Sequence, residues 1–270
     1  MRDYLSRRRF LSIAGIGVAS VIASRDSWVA AGQQPAAPGR ADPALIDDLV
    51  AANRILAREQ VLDAFGHVSV RHPGAANRFL LARSVAPELV TAADIMEHDL
   101  DGNPVDARGR AAYRERFIHG EIYRARSDVN AIVHCHTASL IPFGVTRVPL
   151  RPVYHQSSFV ADGVPVYEIR DAGGMTDMLV SDAKLGRALA VTLAGKSAAL
   201  MRGHGAVIVG NSIPTVVGRS VYLDINAKAQ MQALALGGKI TYLEPEEARK
   251  YLAPNNYERA WELWKKQVSR

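Results

Sequence analysis

The residues of this chain best spaced for chemistry are His134 and His136 around Cys135, His204 in a Gly-His-Gly segment, and Glu115 upstream. Three imidazoles can hold a divalent ion and leave one coordination position open, the layout of catalytic zinc centres. A carboxylate beside such an ion stays ionised and is ready to accept a proton. Glu115 is therefore a candidate fourth ligand or a candidate general acid/base. The plain alternative for the histidines is three satisfied core residues. His-x-His followed by a glycine-flanked third histidine favours metal binding over that alternative.

Those side chains need elements to aim them. Ala131–His136 is apolar and β-branched and predicts a strand, with Ile132, His134 and His136 on one face. The two imidazoles then sit about 7 Å apart along the backbone and can converge, while Cys135 points the other way. Residues 111–126 predict a helix on which Glu115, His119 and Ile122 share a stripe. On that stripe His119 is a further ligand, an orienting partner or a packed residue. His204 falls in a turn between strands 198–201 and 206–209. Further helices are expected from Asp42 to about Gln60, over 177–193, from Ser212 to Gly237, and over 245–252 and 256–268. Strands are expected over 67–71, 78–83 and 164–169. Irregular alternation of helices and strands predicts a layered α/β domain with a mixed sheet.

The 270 residues suit one globular domain once the amino terminus is set aside. Ser6-Arg7-Arg8-Arg9-Phe10-Leu11-Ser12 matches the twin-arginine export pattern, and Val29-Ala30-Ala31 offers a cleavage site. Residues 1–31 read as a signal peptide, 32–41 as a linker and 42–270 as the domain. That assigns the mature protein to the periplasm by way of the twin-arginine translocon; an uncleaved signal would make it membrane-anchored. Five arginines against two aspartates in residues 1–31 carry half of the net charge of +6. The remainder shows no basic stripe with interleaved aromatics, so nucleic-acid binding is not expected. A single cysteine excludes an intramolecular disulfide.

Glu115 with His119, the run Asp128–His136, and Arg202-Gly203-His204-Gly205 together resemble the class II aldolase/adducin family, over roughly Asp42 to Gly238. Gly66-His67-Val68-Ser69 resembles that family's Gly-Asn-Val-Ser loop. The resemblance implies a three-layer α/β/α fold with a central, mixed but largely antiparallel sheet. It implies His134, His136 and His204 as metal ligands, zinc being the first expectation with Mn2+ or Fe2+ as alternatives, and Glu115 as acid/base. It also implies a homo-oligomer of four subunits and a small-molecule substrate. The family's sugar-phosphate aldolases hold phosphate with the Asn of that loop, a Thr-Gly pair and a Ser-Ser pair. Here those positions read His67, Val85-Ala86 and Tyr113-Arg114, so a phosphorylated substrate is not expected.

The Gly-His-Val-Ser loop and the Glu-Arg-Phe-Ile-His segment are similar to the family's decarboxylase-like branch. The expectation is a metal-dependent carbon–carbon lyase, aldolase or decarboxylase, acting through a metal-stabilised enolate on a non-phosphorylated hydroxy-acid or hydroxy-carbonyl compound. The alternatives are a non-catalytic adducin-like interaction module and an Fe(II)-dependent oxygenase on the same scaffold. Candidate substrate contacts are His67, Ser69, Arg83, Arg114, His119, His155 and Tyr222, with Arg151 a further guanidinium suited to a carboxylate.

Overall fold

The computed structural model describes residues 41–252 and 257–269. The twin-arginine pattern, its cleavage site and the linker through residue 40 lie outside the described residues. Helix α1 (Pro43–Arg58) starts where Asp42 accepts a hydrogen bond from the Ala44 N–H and proline fills the first helical position. Strands β1 (His67–Arg71), β2 (Arg78–Ala82) and β3 (Ile95–Asp99) follow. Next come α2 (Arg116–Ala125), β4 (Ala131–Cys135), α3 (Ile141–Val145), β5 (Val166–Tyr167), α4 (Ile169–Gly173) and α5 (Ala183–Leu193). The chain continues through β6 (Ala198–Met201), β7 (Gly205–Gly210), α6 (Ile213–Ala235), α7 (Pro245–Leu252) and α8 (Glu258–Val268).

The strands form one sheet in the order β3-β2-β1-β4-β7-β6-β5, antiparallel throughout except for the β5–β6 pair. Each face carries its own core. Val68, Val133, Cys135 and Ile208 pack with residues of α1, α6 and α8, such as Ile55, Val217 and Trp264. Ile132, Ala199 and Val207 pack on the other face with Ile118 and Ile122 of α2 and Leu189 of α5. The result is the expected three-layer α/β/α architecture with a mixed, largely antiparallel sheet. Among the described residues no helix is long and apolar enough to cross a membrane.

Three of the expected elements are shorter in the structure. The helix expected over 111–126 begins only at Arg116, with Glu115 at its cap position. The helix expected over 177–193 begins at Ala183 and is capped by Asp182, which accepts from the Leu185 N–H. Ahead of it, Thr176 and Asp177 accept from the Met178 and Leu179 N–H groups, holding that stretch out of the helix. Strand β5 covers two residues of the expected 164–169 before the chain turns into α4.

Close backbone approach fixes how the strands meet. A Cβ at Gly205 would lie 1.9 Å from the Cys135 carbonyl oxygen, so only glycine lets β7 start flush against the end of β4. Gly66 has φ +84°, and a Cβ there would lie 2.8 Å from the His134 carbonyl oxygen. It thereby seats His67 opposite His134 in the ladder. Gly205→Ala is expected to cost at least about 1–3 kcal/mol of stability through this overlap, read as a lower thermal midpoint. An unchanged midpoint would show that β4 and β7 can separate without penalty.

Candidate metal centre

The β4–β7 pairing carries His134 on β4, His136 just beyond its end, and His204 in the turn before β7. Glu115 arrives from the start of α2 on the same side of the sheet. The Nε2 atoms of His134 and His136 lie 3.0 Å apart, as do those of His136 and His204. Glu115 Oε2 lies 3.4 Å from the His134 Nε2 and 3.5 Å from that of His204. All four donor atoms fall within 4.8 Å of one another.

Backbone carbonyls choose the tautomers. The Nδ1–H of His134 donates to the Ala206 carbonyl at 3.1 Å, and that of His204 to the Met178 carbonyl at 3.0 Å. Each neutral ring then presents a bare Nε2 lone pair to the cluster. Protons alone satisfy the arrangement poorly. The contacts to Glu115 are long for hydrogen bonds, and making them would require two adjacent imidazolium charges in a site where Glu115 and His134 are buried. One divalent cation would be held by the three imidazoles and would balance the Glu115 charge beside them. Ligands about 2.05 Å from a tetrahedral zinc ion lie roughly 3.3 Å apart, close to the spacings seen here. The donor set fits such an ion.

Burial raises the Glu115 carboxyl; positive charge at His134 and His204 against it outweighs this and lowers it below the usual carboxylate range. A bound cation acts in the same direction. Burial, then His134 and His204, pushes His136 down to about 4, keeping it in the neutral, ligating form. The second Glu115 oxygen, Oε1, accepts from the Val180 N–H at 2.9 Å. Residues 178–180, expected to be helical, thus orient both His204 and Glu115. Nothing in their apolar sequence pointed to that role, which needs an irregular backbone with groups free to bond.

A cleft of about 380 Å³ opens on this cluster, lined by Phe65, His67, Val85, Tyr113, Arg114, Glu115, His136 and Leu179 among others. The segments that replace the phosphate-holding residues meet in its wall. The Tyr113 hydroxyl donates to the Val85 carbonyl, and the Tyr113 ring packs 4.6 Å from that of His67. Tyr113 and Val85 thus satisfy each other across this wall. Arg114 reaches the cleft and pairs with Asp177 at 2.9 Å.

The remaining candidates stand elsewhere. Ser69 and His119 are buried behind His67 and do not line the cleft. Arg83 is turned to Asp94, whose carboxylate also holds the Thr91 turn. Arg151 lies over the Tyr242 ring, 4.0 Å from its centroid. His155 and Tyr222 belong to an aromatic cluster with Tyr154, Tyr251, Tyr257 and Trp264 on the α6 side, so within one chain they do not meet the metal cluster. Cys135 faces the α6 core, as its alternation predicts, and burial pushes its thiol up.

Residues 47–231 match the class II aldolase and adducin N-terminal domain, and the chain belongs to that family. It is 36% identical over 239 residues to decarboxylase tropJ from Talaromyces stipitatus, covering 79% of this chain and 90% of that protein. It is 28% identical over 204 residues to 3,4-dihydroxyphthalate decarboxylase from Arthrobacter keyseri, covering 70% and 78% of the two. Its fold matches that of L-fuculose 1-phosphate aldolase from Glaciozyma antarctica, with a TM-score of 0.67, 24% identity, and 83% and 86% of the two chains covered.

His136→Ala, which leaves the other three donors in place, should weaken zinc binding by at least about 100-fold, beyond the effect of losing an orienting partner. Competition with a chromophoric chelator measures this. Wild-type affinity in that variant would remove His136 from the ligand set.

Proposed function

We propose that this protein is a metal-dependent carbon–carbon lyase that decarboxylates a non-phosphorylated, hydroxylated acid. The observation that carries the reading is the pairing of two features in one cleft. Bare imidazole nitrogens converge with an ionised carboxylate, and the wall where Tyr113 donates to the Val85 carbonyl lacks the small hydroxyl and glycine pairs suited to a phosphate. The similarity to proteins named as decarboxylases supports the reaction class. Aldol cleavage, which shares the same carbanion, is the neighbouring alternative.

His134, His136 and His204 would hold the ion, zinc first by the all-nitrogen donor set. A divalent ion supplies Lewis acidity there, drawing charge from a substrate oxygen near the bond that breaks. Glu115, ionised and steadied through Oε1 by the Val180 N–H, takes a proton from the substrate hydroxyl. When the bond to the carboxylate carbon breaks, carbon dioxide leaves and the electron pair remains on the ring or α-carbon. Glu115 then returns its proton to that carbon. The sequence is redox-neutral, and Glu115 ends as it began. Phe65, Val85, Leu179 and the Tyr113 ring form apolar walls suited to a flat hydroxylated ring.

Glu115→Gln is expected to retain the ion and lose about 10²- to 10⁴-fold in turnover, measured as carbon dioxide released from 3,4-dihydroxyphthalate and simpler dihydroxybenzoates. Undiminished turnover in that variant would falsify the role. The proposal extends to export through the twin-arginine translocon to the periplasm, supported by residues 6–12, and to a homotetramer, supported by family membership. Periplasmic fractionation with and without Arg7→Lys/Arg8→Lys/Arg9→Lys, and light scattering of the purified protein, measure these two. Unaltered fractionation in the triple variant counts against the export route, and a monomer counts against the assembly.

A further inference from the structure

Behind the cleft runs a buried chain of hydrogen bonds that the metal cluster does not use. His67 Nδ1 lies 2.6 Å from His119 Nε2, His119 Nδ1 lies 2.6 Å from Ser69 Oγ, and Ser69 Oγ lies 2.8 Å from the Tyr123 hydroxyl. All four residues are buried, and no carboxylate joins the chain. With neutral rings, each residue brings one mobile proton. Four protons serve three bonds, so one proton is left at an end of the chain.

The two ends are not equivalent. The Tyr123 hydroxyl meets no hydrogen-bond partner other than Ser69 among the described residues, and its ring packs against Phe79. A surplus proton there would be a buried, unpaired O–H, disfavoured by about 10- to 100-fold. At the other end His67 lines the cleft. The chain is therefore polarised one way. Tyr123 donates to Ser69, Ser69 to His119 Nδ1, and His119 Nε2–H to His67 Nδ1. The surplus proton sits on His67 Nε2, the nitrogen left for a cleft occupant.

We infer that His67 is a tautomer-locked neutral donor for the substrate's carboxylate, and that Ser69, His119 and Tyr123 are positioning residues that set the lock. The inference rests on reading the cleft as the seat of a hydroxylated acid. It deepens that reading by giving the acid group its own partner beside the metal cluster, the His67 ring lying 5.1 Å from that of His134. A neutral N–H suits this task in a lyase. It orients a carboxylate without the full ion pair that would favour keeping it over releasing carbon dioxide.

The experiment has two arms on the zinc-loaded full chain. Neutron diffraction of deuterated crystals reads the lock directly: deuterium on His67 Nε2 with Nδ1 bare is expected, and deuterium on Nδ1 would overturn it. Calorimetric titration with 3,4-dihydroxybenzoate and its uncharged 3,4-dihydroxybenzamide reads the partner. Wild type should prefer the acid, and His67→Phe should lose about 10- to 100-fold of that preference. His67→Asn, which keeps an N–H donor, should retain most of it, and Tyr123→Phe should fall between. Zinc content is checked in each variant, and the neutron arm stands whether or not His67→Phe folds. A wild-type protein without preference for the acid overturns the carboxylate assignment. The lyase reading itself is judged separately, by carbon dioxide release.

Discussion

The convergence of three imidazoles on one point organises this molecule. His136 Nε2 lies 3.0 Å from the Nε2 atoms of both His134 and His204, a spacing set by the β4–β7 ladder. Two carbonyls take the Nδ1 protons of His134 and His204, so both rings turn a bare Nε2 towards His136. Glycine at 205 is the steric condition for the ladder to close at that point. The stretch 178–180 supplies the remaining orientation, one carbonyl for His204 and one N–H for Glu115. The ends of two interior strands and an irregular segment thus share the work, and the convergence of imidazole nitrogens on a carboxylate is the reason the site favours a cation.

Much of this was legible in the chain because it depends on local periodicity. Alternation along 131–136 placed the two histidines on one face and Cys135 on the other, and the structure keeps that division between its two cores. The Gly-His-Gly segment signalled a tight approach. What alternation could not show is where helices start when side chains compete for their first N–H groups. Asp182 and Asp177 look like residues of a charged helix surface, yet they cap and turn the backbone. Glu115 was placed on a helical stripe; it sits instead at the helix entrance, and its aim comes from the Val180 N–H rather than from helical phase. Arg83 carried the right charge for a carboxylate, but Asp94, eleven residues on, already occupies it. Pairing at such range has no periodic signature.

The two ends of the cleft follow different logics. The metal end depends on a few nitrogens and one carboxylate, and many reactions that pass through a stabilised carbanion could use it. The far wall determines what is admitted. There, Tyr113 fills space and ties up the Val85 carbonyl, while Phe65 and Leu179 add apolar surface nearer the metal end. Chemistry and selection are therefore separable on this scaffold, the first fixed in the sheet and the second written into the segments around 85 and 113.

Cys135 sits between two ligand histidines and faces the opposite core. In a strand, moving the pairing by one residue exchanges the two faces. A one-step slip of β4 against β7 would withdraw both imidazoles and present a thiol, turning a borderline nitrogen site into a softer sulfur one with a taste for other metals. The steric fit of Gly205 against the Cys135 carbonyl stands at the place where such a slip would begin. The same contact that builds the site thus also guards its elemental identity.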